Sequence, residues 1–216
     1  RNKFKTIKYL YFIAFVLTLV GCRYKPLQNQ NYFCDKLLLN CEIDEKIIIV
    51  STSNGIFKIK LFGNSNPITV SNFLKNIKNN LYDNVKFYNI ITYPNTKIIH
   101  SGINSENDYG NFKRKNVVYN ELPLEIALKD RNEPIYNSPI YDQAKLKSIK
   151  NKFDKGSLSM VKVGKNKSSS TEFFLSLDKS PEFDGRYSNF GQIIKGIKIL
   201  ETLDENDFIK KIEIVN

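Results

Sequence analysis

In the run Val85-Lys86-Phe87-Tyr88-Asn89-Ile90-Ile91, strand alternation sets Val85, Phe87, Asn89 and Ile91 on one face, so a single amide stands in an apolar row. A polar group in such a row needs a partner or a task, because burying it unpaired costs free energy. The asparagine amide can donate a hydrogen bond there, which its apolar neighbours cannot. His100, the only histidine, ends the next apolar run, Lys97-Ile98-Ile99-His100. Histidine is a candidate proton carrier, although it serves more often as a satisfied structural group. Glu172 precedes Phe173-Phe174, and Phe183 and Phe190 follow. Those four rings suit either a packed core or an apolar pocket.

The elements that must hold these residues are short. Ile47 to Phe62 is two β-rich runs around Asn54-Gly55, a strong hairpin signal. Asn66-Pro67 predicts a helix start, a capping residue followed by proline, with Val70, Phe73, Leu74, Ile77 and Leu81 at helical spacing. Strands are predicted over 85–91, 97–101, 156–163, 171–177, 188–194 and 208–215, with a turn at Asp184-Gly185 and a short helix over 196–203. Many short strands and two separated helices predict a mainly β fold, a closed antiparallel barrel capped at its ends. One domain is expected over 46–216, interrupted by a long middle excursion at 104–155. There Leu146, Ile149 and Phe153 fall at helical spacing, and packing is preferred over disorder.

The N-terminus stands apart. Arg1, Lys3, Lys5 and Lys8, the apolar run Tyr9 to Val20 and Leu19-Val20-Gly21-Cys22 form a secretory signal pattern over 1–21. The apolar run is shorter than the roughly 20 residues of a membrane span, so a cleaved signal is preferred and an uncleaved anchor is the second reading. "LVGC" also resembles the lipobox of bacterial lipoproteins, which implies lipidation of Cys22 and attachment to a membrane, on the periplasmic side of a cell envelope. Segment 22–45, with the polar stretch Arg23 to Tyr32, is then a tether. Cys34 and Cys41 remain, either a disulfide in an oxidising compartment or two free thiols. Without the four signal cations the formal charge falls from +11 to +7, carried mostly by scattered lysines. That is a solvated basic surface rather than a nucleic-acid site. A monomer is expected.

The phrases "GIFKIKLFGNSNPITVSNFL", "VKFYNII", "GSLSMV", "TEFFLSL" and "FDGRYSNFGQIIKGIKILETL", in that order, resemble the cyclophilins, the peptidyl-prolyl cis/trans isomerases. The resemblance covers residues 47–103 and 156–216. It implies an eight-stranded closed antiparallel barrel with a helix at each end, activity on proline-containing polypeptides, and no cofactor or metal. Asn89 occupies the place of the arginine in the family's "FHRVI"; it is shorter and neutral, and neutral hydrogen bonds are roughly half as strong as charge-assisted ones. His100 and Glu172 stand where glutamines are usual, so the catalytic set is expected to be Asn89, His100 and Glu172. Substrate-binding residues implied by the resemblance are Phe87, Lys97, Ile98, Met160, Val161, Lys162, Phe174, Phe183 and Tyr187, with Glu182 in place of a tryptophan. Lys97, Lys162 or Arg186 could supply the missing positive charge. Two alternatives are a module that binds proline-containing segments with little turnover and a structural envelope lipoprotein.

Overall fold

The computed structural model describes residues 29–41, 43–94, 96–103 and 120–215. The expected signal segment, Cys22 and the first part of the tether lie outside the described residues, as does 104–119 of the excursion. Strands β1 (Glu45–Thr52) and β2 (Ile56–Phe62) form the expected hairpin, closed by Thr52 N donating to Gly55 O at 2.8 Å. The predicted strand over 85–91 divides in two. β3 (Val85–Lys86) pairs with the last strand, β12 (Phe208–Val215), whereas β4 (Asn89–Tyr93) pairs with β5 (Thr96–Gly102). At the break, Phe87 N donates to Asp207 O at 2.9 Å and Tyr88 N to His100 O at 3.1 Å.

That break closes the sheet. Its strands run in the order β3-β12-β1-β2-β11-β9-β10-β5-β4, with β9 (Ser157–Val163), β10 (Lys167–Ser176) and β11 (Asn189–Lys195), all antiparallel. β3 and β4 are the two ends of this path and one continuous run of chain, so the curled sheet returns on itself as an eight-stranded barrel. β6 (Glu121–Pro123) adds to β10, and β7 (Glu125–Ile126) pairs with β8 (Ile135–Tyr136) in a separate two-stranded sheet. Closure leaves few exposed strand edges, the usual hazard of an all-β chain.

Alternation fills the interior. Phe57, Ile59, Phe87, Leu158, Met160, Phe173 and Phe190 are buried there, and α2 (Pro67–Lys78) lays Val70, Phe73, Leu74 and Ile77 across them. Phe73 meets Phe173 and Phe190 edge-on at 5.5 and 5.1 Å. Each such ring contributes about 1.5–3 kcal/mol through burial. α4 (Ile197–Thr202) packs Leu200 against the same core. Among the described residues no helix is long and apolar enough to cross a membrane.

Three details depart from the sequence expectation. Asn66 does not cap α2 with its side chain; its Nδ2 donates to Glu125 O at 3.1 Å. The cap is the Glu125 carboxylate, which accepts from Ile68 N (3.0 Å), Thr69 N (2.8 Å) and Thr69 Oγ1 (2.6 Å) while fully buried. The orphan amides and dipole of a helix N-terminus favour an acceptor of this kind. Second, Gln30 to Tyr32, expected in the tether, begin α1 (Gln30–Leu37), whose Phe33 and Cys34 pack on Ile68. A Cys34–Cys41 disulfide, Cα–Cα 5.8 Å, closes this segment.

Third, the helix suggested by Leu146, Ile149 and Phe153 is only α3 (Gln143–Lys147). Ile149 instead bridges to Leu128 in a satellite core with Leu124, Ile126 and Ile140, and Phe153 joins a different cluster. The described part of the excursion is therefore packed, held to the barrel through Glu125 and through Glu125 N donating to Ser188 Oγ at 2.8 Å.

Candidate active site

The strand ladders bring Asn89, His100 and Phe174 into one row. Asn89 on β4 lies opposite His100 on β5, and His100 lies opposite Phe174 on β10, so the three share the outer face of the barrel. Ile91, Ile98 and Ser176 form the next row on that face. The same alternation corrects two expectations. Phe87 and Met160, expected to bind substrate, do not join this outer face; both are 0% exposed in the barrel interior, and Met160 pairs with Phe173 rather than Phe174. A shift of one residue moves a side chain to the other face of a sheet.

Phe174 is buried because a second aromatic layer stands on it. Phe183 and Tyr187 lie 5.6 and 5.5 Å from its ring, both near edge-on, and 4.8 Å from each other. Phe153 is stacked on Phe174 at 6.2 Å and 13°, Ile98 is buried with them, and Ile91 and Val161 are half-buried at the edge. Local turn chemistry delivers this layer. Pro181–Phe183 is one 3-10 turn, with the Thr96 and Ser180 hydroxyls hydrogen-bonded beneath it. Asp184 Oδ1 then accepts from Phe153 N at 2.8 Å, tying the end of the excursion to the turn. Gly185 has φ +72° and approaches Ile140 O so closely that an added Cβ would lie 2.8 Å from it.

Glu172 arrives by an irregular ladder. Ser168 pairs with Lys162 and Phe173 with Met160, so four residues of β10 arch over one of β9. The Ser/Thr run sustains that arch: Ser169 Oγ accepts from Thr171 N and Glu172 N at 3.2 and 3.1 Å, and Thr171 Oγ1 donates to Ile103 O at 2.6 Å. Ser170 O accepts from the amides of Asn72 and Asn76 on α2. Glu172 Oε1 accepts from the Tyr88 hydroxyl at 2.7 Å.

The electrostatics of the row are those of neutral donors. His100 is half-buried between Tyr88, edge-on at 5.9 Å, and Phe174, 5.9 Å away and tilted 31°. Burial lowers its pKa, so it is a neutral imidazole at pH 7. Asn89 is exposed, and among the described residues its side-chain amide has no hydrogen-bond partner. The three candidate cations separate. Lys97 is exposed on the rim, opposite Thr92. Arg186 lies over the Tyr141 ring at 5.4 Å, and Lys162 lies over the Tyr187 ring at 5.6 Å, against the aromatic layer itself. Glu182 is half-buried on the 3-10 turn.

Tyr88 and Phe153 join the site without a signal in the sequence. Tyr88 is the neighbour of Asn89 and would point to the other face of a continuous strand; the break at Phe87-Tyr88 frees it to reach Glu172. Phe153 carries no period linking it to Phe174, because its position is set by the Asp184 hydrogen bond across 31 residues.

An apolar aromatic wall thus stands beside a row of hydrogen-bond donors on the outside of a closed eight-stranded antiparallel barrel with helix caps. The chain belongs to the cyclophilin-type peptidyl-prolyl cis-trans isomerase family: residues 47–215 match the family described as "Cyclophilin type peptidyl-prolyl cis-trans isomerase/CLD". It is similar to a Synechocystis protein named "Putative thylakoid lumen peptidyl-prolyl cis-trans isomerase", 28% identical over 177 residues, spanning 77% of this chain but only 46% of that protein. A peptidyl-prolyl cis-trans isomerase of Arabidopsis thaliana is 27% identical over 156 residues, 72% of this chain and 79% of its own. The crystal structure of a Cryptosporidium parvum cyclophilin-type isomerase shares the fold with TM-score 0.56 and 24% identity, over 80% of this chain and 99% of that one.

Proposed function

We propose that the chain is a peptidyl-prolyl cis/trans isomerase of modest turnover that acts on proline-containing segments of exported polypeptides. The observation that carries this reading is the row Asn89-His100-Phe174 beside the Phe183-Ile98-Tyr187 layer. Rotation about the prolyl bond has a barrier of about 18–20 kcal/mol, set by amide resonance. In the twisted state resonance is lost and the prolyl nitrogen accepts a hydrogen bond more strongly. The aromatic layer holds the proline ring in a dry site, while the Asn89 amide or the His100 imidazole N–H donates to that nitrogen. No proton is transferred, so a neutral imidazole suffices. Neutral donors stabilise the twisted state less than a guanidinium, and each 1.4 kcal/mol or so forgone costs tenfold in rate.

Exchange NMR on a capped Ala-Pro peptide tests this with wild type beside Asn89→Arg. Measurable acceleration by wild type, increased severalfold by the arginine, supports the reading. Binding of the peptide without acceleration by wild type favours the alternative, a proline-binding module, for which the uncharged residue at position 89 is the supporting feature. No binding by either protein sinks both.

The setting is part of the proposal. The signal pattern over 1–21, the resemblance of Leu19 to Cys22 to a lipobox and the Cys34–Cys41 disulfide support export, with lipidated Cys22 as the anchor and the barrel as a monomer beyond it. The name of the Synechocystis relative places that protein in the thylakoid lumen. Intact-mass measurement of the membrane-fraction protein checks the anchor: a diacylglyceryl adduct on Cys22, abolished by Cys22→Ser, is expected.

A further inference from the structure

The aromatic layer that holds the proline ring carries an uncompensated cation. Lys162 Nζ lies 5.6 Å from the centroid of the Tyr187 ring, and Tyr187 packs on Phe174 and Phe183. Burial and the neighbouring charges of Arg186 and Lys165 all lower the Lys162 pKa, and no carboxylate offsets them. Among the described residues, no Asp or Glu lies within 4.0 Å of Lys162, Lys165 or Arg186; the ion pairs that form are Lys60–Glu45, Lys155–Glu201 and Lys211–Glu213. The acidic groups of the site are not among the charges that act on Lys162: Glu182 lies by Asp184, which accepts from Phe153 N, and Glu172 accepts from the Tyr88 hydroxyl. Lys162 thus stands against the aromatic layer within reach of two like charges, Arg186 and Lys165. A protein gains nothing in stability from such repulsion, but an anionic ligand arriving there relieves it.

From this juxtaposition we infer that Lys162, assisted by Arg186 and Lys165, is a specificity-determining residue that selects prolines flanked by an acidic side chain, an aspartate or glutamate one residue away. The inference rests on the proline-binding reading of the pocket and adds a substrate class to it. A carboxylate next to the proline meets Lys162 while the ring sits against Phe174 and Phe183. The cation–π contact with Tyr187 keeps the ammonium over the pocket instead of letting it extend into solvent. Arg186 is partly held away by Tyr141, so Lys162 carries most of the discrimination.

The test uses capped tetrapeptides Ala-Glu-Pro-Ala and Ala-Ala-Pro-Glu, each beside its Gln counterpart, together with Ala-Lys-Pro-Ala and Ala-Ala-Pro-Ala. Affinities are read by NMR titration at low and at high salt. At least one Glu peptide is expected to bind about threefold to tenfold more tightly than its Gln counterpart at low salt, with the ratio collapsing at high salt. Lys162→Gln should bring that ratio towards one, and Lys162→Glu should invert it in favour of the Lys peptide, an inversion that a purely structural lysine would not produce. Equal Glu and Gln affinities in wild type, or a preference that survives Lys162→Glu, overturns the inference while leaving the proline pocket standing. Failure of all the peptides, Ala-Ala-Pro-Ala included, overturns the pocket reading and this one with it.

Discussion

The Tyr88 hydroxyl donates a 2.7 Å hydrogen bond to Oε1 of Glu172, joining the break between β3 and β4 to the arch of β10 across 84 positions of sequence. It fixes one edge of the row, because the Tyr88 ring also stands edge-on to His100. Tyr88→Phe keeps that ring contact and deletes only the hydroxyl. A loss of about 1 kcal/mol in stability is expected, as for a half-buried hydrogen bond. Urea denaturation of Tyr88→Phe, Glu172→Gln and the double variant should give a coupling of about the same size. A coupling of zero would show that the two groups act independently.

Glu125 links the excursion to α2 in a second way, through charge. Burial pushes its pKa up from 4.5 to about 7, against the lowering effect of its bonds to Thr69 and Ile68. The folded state therefore holds a proton that the unfolded chain releases between those values, so stability falls as pH rises from about 4.5 to about 7. The fall attributable to this group is at most about 3 kcal/mol. Glu125→Gln should flatten that part of the stability–pH curve. Glu125→Ala, which strands two amides at the start of α2 and also removes this titration, should cost about 2–4 kcal/mol near pH 4.5 and less as pH rises towards 7. Chemical denaturation from pH 4.5 to 8 measures both.

The Cys34–Cys41 bond holds α1 against Ile68 through Phe33. Replacing both cysteines by serine is expected to cost about 2 kcal/mol, given the short loop. The loss should be local. Hydrogen exchange should quicken in α1 while β1, β2 and β12 stay protected. Quickening throughout the barrel would mean that α1 belongs to the cooperative core.

These relationships mark where sequence reading succeeds and where it fails. Phe57, Ile59 and Leu61 alternate with lysines, so the period alone identifies β2, and the hairpin residues Asn54-Gly55 set its partner. Phe174 stands out in the sequence because Phe173-Phe174 is a family phrase, and its parity sets it on the outer face beneath Phe183 and Tyr187. Met160 and Phe87 are family residues as well, but their parity sends them inward, and parity is fixed by registers no single strand records. The division of 85–91 depends on β12, more than a hundred residues away. The cap of α2 was assigned to Asn66, the neighbour in sequence, when the space is taken by Glu125, 57 residues on from Ile68. Local rules identify local partners; they have no term for a carboxylate delivered by another segment.

His100 sharpens the question of what replaces the missing arginine, and pH separates the answers. Burial between Tyr88 and Phe174 lowers its pKa from the usual 6.5, so from pH 6.5 to 8 the neutral imidazole, which can donate through one N–H, is the majority form. Turnover on an Ala-Pro peptide should then be flat across that range. An imidazolium donor would make the rate rise as pH falls through 6.5, since the charged form would be gaining population. Stability supplies an independent check on the sign. Below pH 6.5 the unfolded chain protonates this histidine more readily than the fold does, so His100 should destabilise the protein as pH falls, and His100→Gln should remove that component. If Asn89 is the principal donor, His100→Gln leaves the flat rate within about threefold of wild type, and Asn89→Ala lowers it about tenfold, the scale of one lost transition-state hydrogen bond. If His100 is, the two effects exchange places.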